Sequence, residues 1–239
     1  MALGLVMILE APSRGAIVES VASFESLGKT IGVERFEPEA AGKYPAIVIL
    51  HGAGGMDVGG PEFRAYGREL ARRGYVAEIV HYFDQTGVKH AGGATIARSF
   101  SSWLVTIGDG LSSLEKRANV DPKRIGLLGF SLGSYLSLSL AGHDRRVSAV
   151  VEYFGGLPDF FSRNLKRFPP TLILHGEDDR IVSVAEAHRI ERLLTERKFP
   201  FEIRLYPGQG HRFTGADEAD AYARSLAFLD KHVKGVEGG

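Results

Sequence analysis

Apolar residues change their spacing along this chain at Pro45. Before it, residues 17–24 (IVESVASF) and 29–36 (KTIGVERF) mix β-branched and aromatic residues with polar ones. That mixture predicts two antiparallel strands with one wet face, joined by a turn at Leu27-Gly28. After Pro45 the run AIVIL (46–50) is continuously apolar, as in a strand buried on both faces. YVAEIV (75–80), RIGLLGF (124–130), VSAVVEYF (147–154), TLILH (171–175) and FEIRLY (201–206) extend the series. Helical patterns alternate with these strands. One covers 61–74, with Pro61 at its start and Gly74 as its stop. Others cover 95–118, the stretch from Ser131 to Gly142, 184–197 and 216–232, while 157–168 reads as a short helix or cap element. Strand–helix alternation with buried strands predicts an α/β fold: a mostly parallel sheet of about eight strands with helices on both faces.

The length of 239 residues suits one large α/β domain or two small ones, and no linker divides the chain. We therefore expect a single domain over 17–239 behind a poorly specified arm, 1–16. The arm is briefly apolar but has no basic residue ahead of its apolar run, unlike a secretory leader. A cytoplasmic protein is expected, with a trimmed or misassigned leader as the alternative. No stretch is long enough to span a membrane. The 29 basic and 29 acidic residues balance, and no basic stripe marks a nucleic-acid partner. Cysteine is absent, which excludes disulfides, thiolate nucleophiles and cysteine metal sites.

The chemistry lies in the loops after the strands. Gly129-Phe130-Ser131-Leu132-Gly133 matches G-x-S-x-G between an apolar strand and a helix. In that setting the serine sits on a sharp turn with its hydroxyl exposed at the sheet edge. The triad partners then follow as acid and histidine. The loop after TLILH supplies Asp178 and Asp179, and the loop after FEIRLY supplies His211. His211 would take and return the serine proton. Asp179, three residues before Val182, is the expected orienting acid, with Asp178 as the alternative. The Leu132 N–H should face the developing oxyanion, joined by an N–H from the glycine-rich loop 51–55. Ala53 is the expected second donor, with Gly54 next. His51 reads as a loop-tying residue. His51, His175, Asp178 and His211 lack metal-site spacing, so neither a metal nor a cofactor is expected. Tyr82, Phe83 and Phe154 follow strands on the same edge, and would wall a pocket for an apolar or aromatic acyl or alcohol group. For Phe154, core packing is the equal alternative.

In this order and spacing, HGAGG (51–55), HYFDQTG (81–87), GFSLGSY (129–135), HGEDDRIV (175–182) and GQGHRF (208–213) resemble the dienelactone hydrolase family over most of 17–232. The resemblance implies the α/β-hydrolase fold without a large lid, and cofactor-free hydrolysis of lactones or small esters. It places Ser131, Asp179 and His211 in the nucleophile, acid and base slots, and Ala53 and Leu132 in the oxyanion slots. The founding enzymes carry cysteine where this chain has Ser131, and a glutamate where it has Gly52. Arg212 does not stand where their substrate-binding arginines do. The expected function is a serine hydrolase cleaving a small ester or lactone through an acyl-enzyme. A serine peptidase, a thioesterase or acyltransferase, and a catalytically silent binding protein are the alternatives. Peptidases of the prolyl oligopeptidase type carry a β-propeller that 239 residues cannot hold. The sequence leaves the oligomeric state open.

Overall fold

In a computed structural model, residues 15–163 and 165–235 are described. The expected arm therefore lies outside the described residues, apart from Gly15 and Ala16. The strands are β1 (Ile17–Ser26), β2 (Lys29–Pro38), β3 (Tyr44–Leu50), β4 (Val76–Val80), β5 (Val120–Phe130), β6 (Val147–Tyr153), β7 (Thr171–Gly176) and β8 (Phe201–Tyr206). The helices are α1 (Gly60–Arg72), α2 (Gly93–Leu114), α3 (Leu132–Ala141), α4 (Asp159–Ser162), α5 (Ala185–Arg197) and α6 (Gly215–Leu229). The eight strands form one sheet in the order β1-β2-β4-β3-β5-β6-β7-β8. β1 and β2 pair antiparallel, β2 joins β4 antiparallel, and every pairing from β4 to β8 is parallel. This is the expected α/β-hydrolase arrangement.

The continuous apolar runs have a direct structural cause. Along β3, Ala46, Val48 and Leu50 enter one core while Ile47 and Ile49 enter the other. A strand covered on both faces has no wet side on which to place polar residues. Trp103 and Ile107 of α2, Leu136 of α3 and Ile190 of α5 fill the first core. Phe63 and Leu70 of α1, with Leu226 and Leu229 of α6, fill the second. Edge strand β1 is largely exposed, which explains its polar alternation.

Some boundaries differ from the sequence reading. β5 starts at Val120 rather than Arg124, because Val120 pairs with Tyr44 across a register shift. Its Asn-Val-Asp-Pro start reads locally as a turn, and only the partner strand recruits it. The expected helix over 95–118 runs from Gly93 to Leu114, and 157–168 contributes only the single turn α4. No helix among the described residues is long and apolar enough to cross a membrane.

Candidate active site

Ser131 caps α3 with φ 52° and ψ −115°, a conformation that costs a non-glycine residue energy. Its two glycine neighbours make that turn possible. A Cβ on Gly133 would lie 2.1 Å from the Leu50 carbonyl oxygen, and one on Gly129 would lie 2.5 Å from the Gly133 oxygen. Both positions therefore exclude any side chain, and the end of β3 packs directly on the serine turn.

His211 and Asp179 reach Ser131 from the loops after β8 and β7. His211 Nε2 lies 2.9 Å from Ser131 Oγ, and His211 Nδ1 lies 2.7 Å from Asp179 Oδ2. The other Asp179 oxygen accepts the backbone N–H groups of Ile181 at 2.8 Å and Val182 at 2.9 Å. The Asp179 side chain is wholly buried, whereas Asp178 is exposed and its N–H donates to the Gln209 carbonyl, joining this loop to the next. His175 Nε2 stands 2.9 Å from the Val182 carbonyl and 3.5 Å from Asp179 Oδ2. Burial lowers its pKa, which keeps a second positive charge away from the aspartate. Its Nδ1 is buried without a hydrogen-bond partner among the described residues.

The loop after β3 approaches from the opposite side. A Cβ on Gly52 would come within 3.3 Å of Ser131 Cβ, so glycine keeps this approach open. Buried His51 fixes the loop. Its Nδ1 lies 2.9 Å from the Gly52 carbonyl, and its ring stacks on Tyr82 at 4.1 Å. Burial pushes its pKa down to about 4, so the ring is neutral near pH 7. Neither the Leu132 N–H nor the Ala53 N–H donates to another backbone carbonyl among the described residues.

A cleft of about 250 Å³ opens over Ser131 and His211. Phe154 lines it, with its ring 4.7 Å from that of His211. The expectation for Tyr82 and Phe83 is corrected, because neither belongs to this wall. The chain turns tightly over Tyr82–Gln85 and folds both rings inward. There the Tyr82 hydroxyl donates to the His51 carbonyl at 2.7 Å, and the Phe83 ring packs on Trp103 at 4.8 Å. They support the loop from beneath. The wall comes instead from Val58, Phe63, Phe130 and Ile181, with Glu62 and Arg212 at its border. The sequence signal for Ile181 was an apolar residue two positions after Asp179, and in the fold it is 74% exposed. Burial raises the pKa of Glu62, opposed by Arg212 at 3.0 Å and reinforced by Glu218.

Comparison with known proteins follows this geometry. The model of the dienelactone hydrolase family matches residues 31–231. A candidate carboxymethylenebutenolidase of Salmonella typhimurium is 24% identical over 230 residues, covering 89% of this chain and 84% of that protein. A carboxymethylenebutenolidase homologue of Xenopus tropicalis is 23% identical over 202 residues, covering 80% and 79%. Among solved structures, a dienelactone hydrolase-like promiscuous phosphotriesterase from metagenomic libraries has a TM-score of 0.79 at 18% identity, covering 91% of this chain and 99% of that one. The acylaminoacyl peptidase of Pyrococcus horikoshii has a TM-score of 0.75 at 17% identity, covering 93% of this chain but 43% of that one. The family match takes in more than four fifths of the sequence, and this chain belongs to the dienelactone hydrolase family, a family of ester- and lactone-cleaving hydrolases.

Proposed function

We propose that this protein is a serine hydrolase that cleaves a small carboxylic ester or lactone through an acyl-enzyme. The observation that carries the reading is the unbroken chain Asp179–His211–Ser131, with links of 2.7 and 2.9 Å. Asp179 accepts from His211 Nδ1–H and so holds Nε2 as the acceptor facing Ser131. Ser131 Oγ attacks the carbonyl carbon as Nε2 takes its proton, and the carbonyl π electrons move onto oxygen. The Leu132 and Ala53 N–H groups, which donate to no backbone carbonyl among the described residues, are the donors for this developing charge beside the start of α3. Collapse of the intermediate expels the alcohol, which receives its proton from His211. Water activated by the same histidine then releases the acid and restores Ser131. The substrate is a free small molecule and the reaction uses no cofactor.

Relatives named for carboxymethylenebutenolide cleavage support a lactone or ester substrate. The likeness to an acylaminoacyl peptidase supports amide cleavage as a second reading, although this chain spans less than half of that enzyme. Turnover of p-nitrophenyl acetate and of an acyl-amino-acid p-nitroanilide separates the two. Ester turnover should exceed amide turnover, and Ser131→Ala should reduce it by about 10⁴-fold or more. Ester turnover that survives Ser131→Ala would refute the mechanism. A fluorophosphonate that fails to label Ser131 would favour a catalytically silent binding protein.

A further inference from the structure

The cleft at Ser131 is not the largest cavity on its side of the sheet. A second cavity of about 400 Å³ lies between α1 and α6 and shares Glu62, Phe154 and Arg212 with it. These three residues form the wall between the two spaces. The floor beyond the wall is aromatic: Tyr66, Tyr153, Phe213 and Tyr222. Its polar atoms are engaged with one another. The Tyr66 and Tyr153 hydroxyls are 2.5 Å apart, the Tyr153 hydroxyl meets Ser225 Oγ at 2.7 Å, and Ser225 donates to the Ala221 carbonyl at 2.8 Å. Over this floor an occupant therefore meets ring surface, and the charged residues of the cavity lining are Glu62, Arg212 and Glu218.

Part of the wall is loosely held. Arg212 and Glu62 make an ion pair whose side chains are 61% and 35% exposed. A pair so open to water is held only weakly. Phe154 is placed by a backbone with φ 43°, a strained conformation for a residue with a side chain. The strain sets its ring against His211, where it borders both spaces. The position relative to His211 also decides which half of a substrate would enter. The histidine must reach the leaving oxygen to protonate it, so the space beside it lies on the alcohol side of the scissile bond. Size agrees with a ring system. A cavity of about 150 Å³ accommodates one benzene ring. The cleft alone falls short of an ordinary ligand pocket of roughly 300–1,000 Å³, whereas the joined spaces lie within that range.

We propose that this chamber holds the alcohol portion of the substrate, an uncharged aromatic group of about two fused rings, with Phe154 and the Arg212–Glu62 pair as its door. The proposal rests on the ester-hydrolase reading of Ser131. Ala65 and Ala219 are exposed helix positions at the chamber's rim, where a tryptophan would fill it without disturbing the core. Ala65→Trp and Ala219→Trp should each lower the ratio of kcat/KM for 2-naphthyl acetate to that for ethyl acetate by about tenfold. Binding of 2-naphthol to the Ser131→Ala protein, followed by its fluorescence, should weaken by a similar factor when Ala219→Trp is added. Ethyl and naphthyl esters that are both hydrolysed at an unchanged ratio in both tryptophan variants would overturn the chamber and leave the hydrolase reading intact. Failure to hydrolyse either ester, with 2-naphthol binding that Ala219→Trp weakens, would do the reverse.

Discussion

Asp179 holds two structures together with one carboxylate. One oxygen meets His211 Nδ1, and the other ties down the Ile181 and Val182 N–H groups. Asp179→Asn preserves the second role, because the amide oxygen still accepts both bonds. It presents an NH₂ group to His211, which on the proposed mechanism selects the wrong tautomer and leaves Ser131 without a base. The expected result is a protein of nearly unchanged melting temperature whose kcat falls by about 10⁴-fold. Asp178→Asn alters an exposed side chain and should leave kcat within about twofold of the wild type. Equal losses in the two variants would show that the loop as a whole, rather than Asp179, is at work. The meeting of Ser131, His211 and Asp179 was legible because local signals mark them, namely a motif and two strand-end loops in fixed order. Tyr82 and Phe83 were not, because a strand-end aromatic reads alike whether the next turn points it into a cleft or under a loop. Only packing against His51 and Trp103 settles their place.

Elements meet at the serine turn with no room to spare. Gly133 lets α3 begin against the end of β3, and an added Cβ would strike backbone at Leu50, which cannot rotate away. Gly133→Ala should therefore cost at least about 2–3 kcal/mol and lower turnover as well, since it pushes back the loop that carries Ala53. Gly108 in the interior of α2 offers the opposite case, with nothing within 4 Å of an added Cβ. Gly108→Ala should raise the midpoint of thermal unfolding, with a gain of roughly 0.5–1 kcal/mol from better helix propensity. A destabilised Gly108→Ala would mean that the helix bends under the added methyl. At this scale the strands were the most legible elements, because burial on both faces writes a continuous apolar run. The start of β5 was not, since its pairing with Tyr44 depends on a distant partner. The alternating order also announced a parallel sheet, but it did not reveal that β4 would sit between β2 and β3.

Across the whole molecule, two apolar cores enclose one sheet, and that enclosure traps a carboxyl group. Glu152, at the end of β6, is fully buried. One oxygen accepts the Gly155 N–H at 2.8 Å, while the other has no partner among the described residues. Burial pushes its pKa from 4.5 up to about 8. The native state thus keeps a proton that the unfolded chain has already released, and stability falls as pH climbs from about 4.5 to 8. Buried His51 and His175 act in the other direction. Their pKa values lie below 6.5 in the folded protein, so they subtract stability as pH drops below 6.5. Between pH 6.5 and 8 the unfolded histidines lose their last protons and return a little stability, so the slope from Glu152 is read as the difference between the wild type and a variant that lacks the carboxyl group. One proton's difference amounts to about 1.4 kcal/mol per pH unit, or roughly 2 kcal/mol across that interval. For a chain of this length, that is a fall in melting temperature of about 5 °C. Glu152→Gln keeps an acceptor for Gly155 and removes the proton, so the wild type should lose about 5 °C relative to this variant across the interval. Parallel curves for the two proteins would mean that Glu152 is already ionised in the fold, and that the sheet edge beneath the serine turn is wetter than its packing implies.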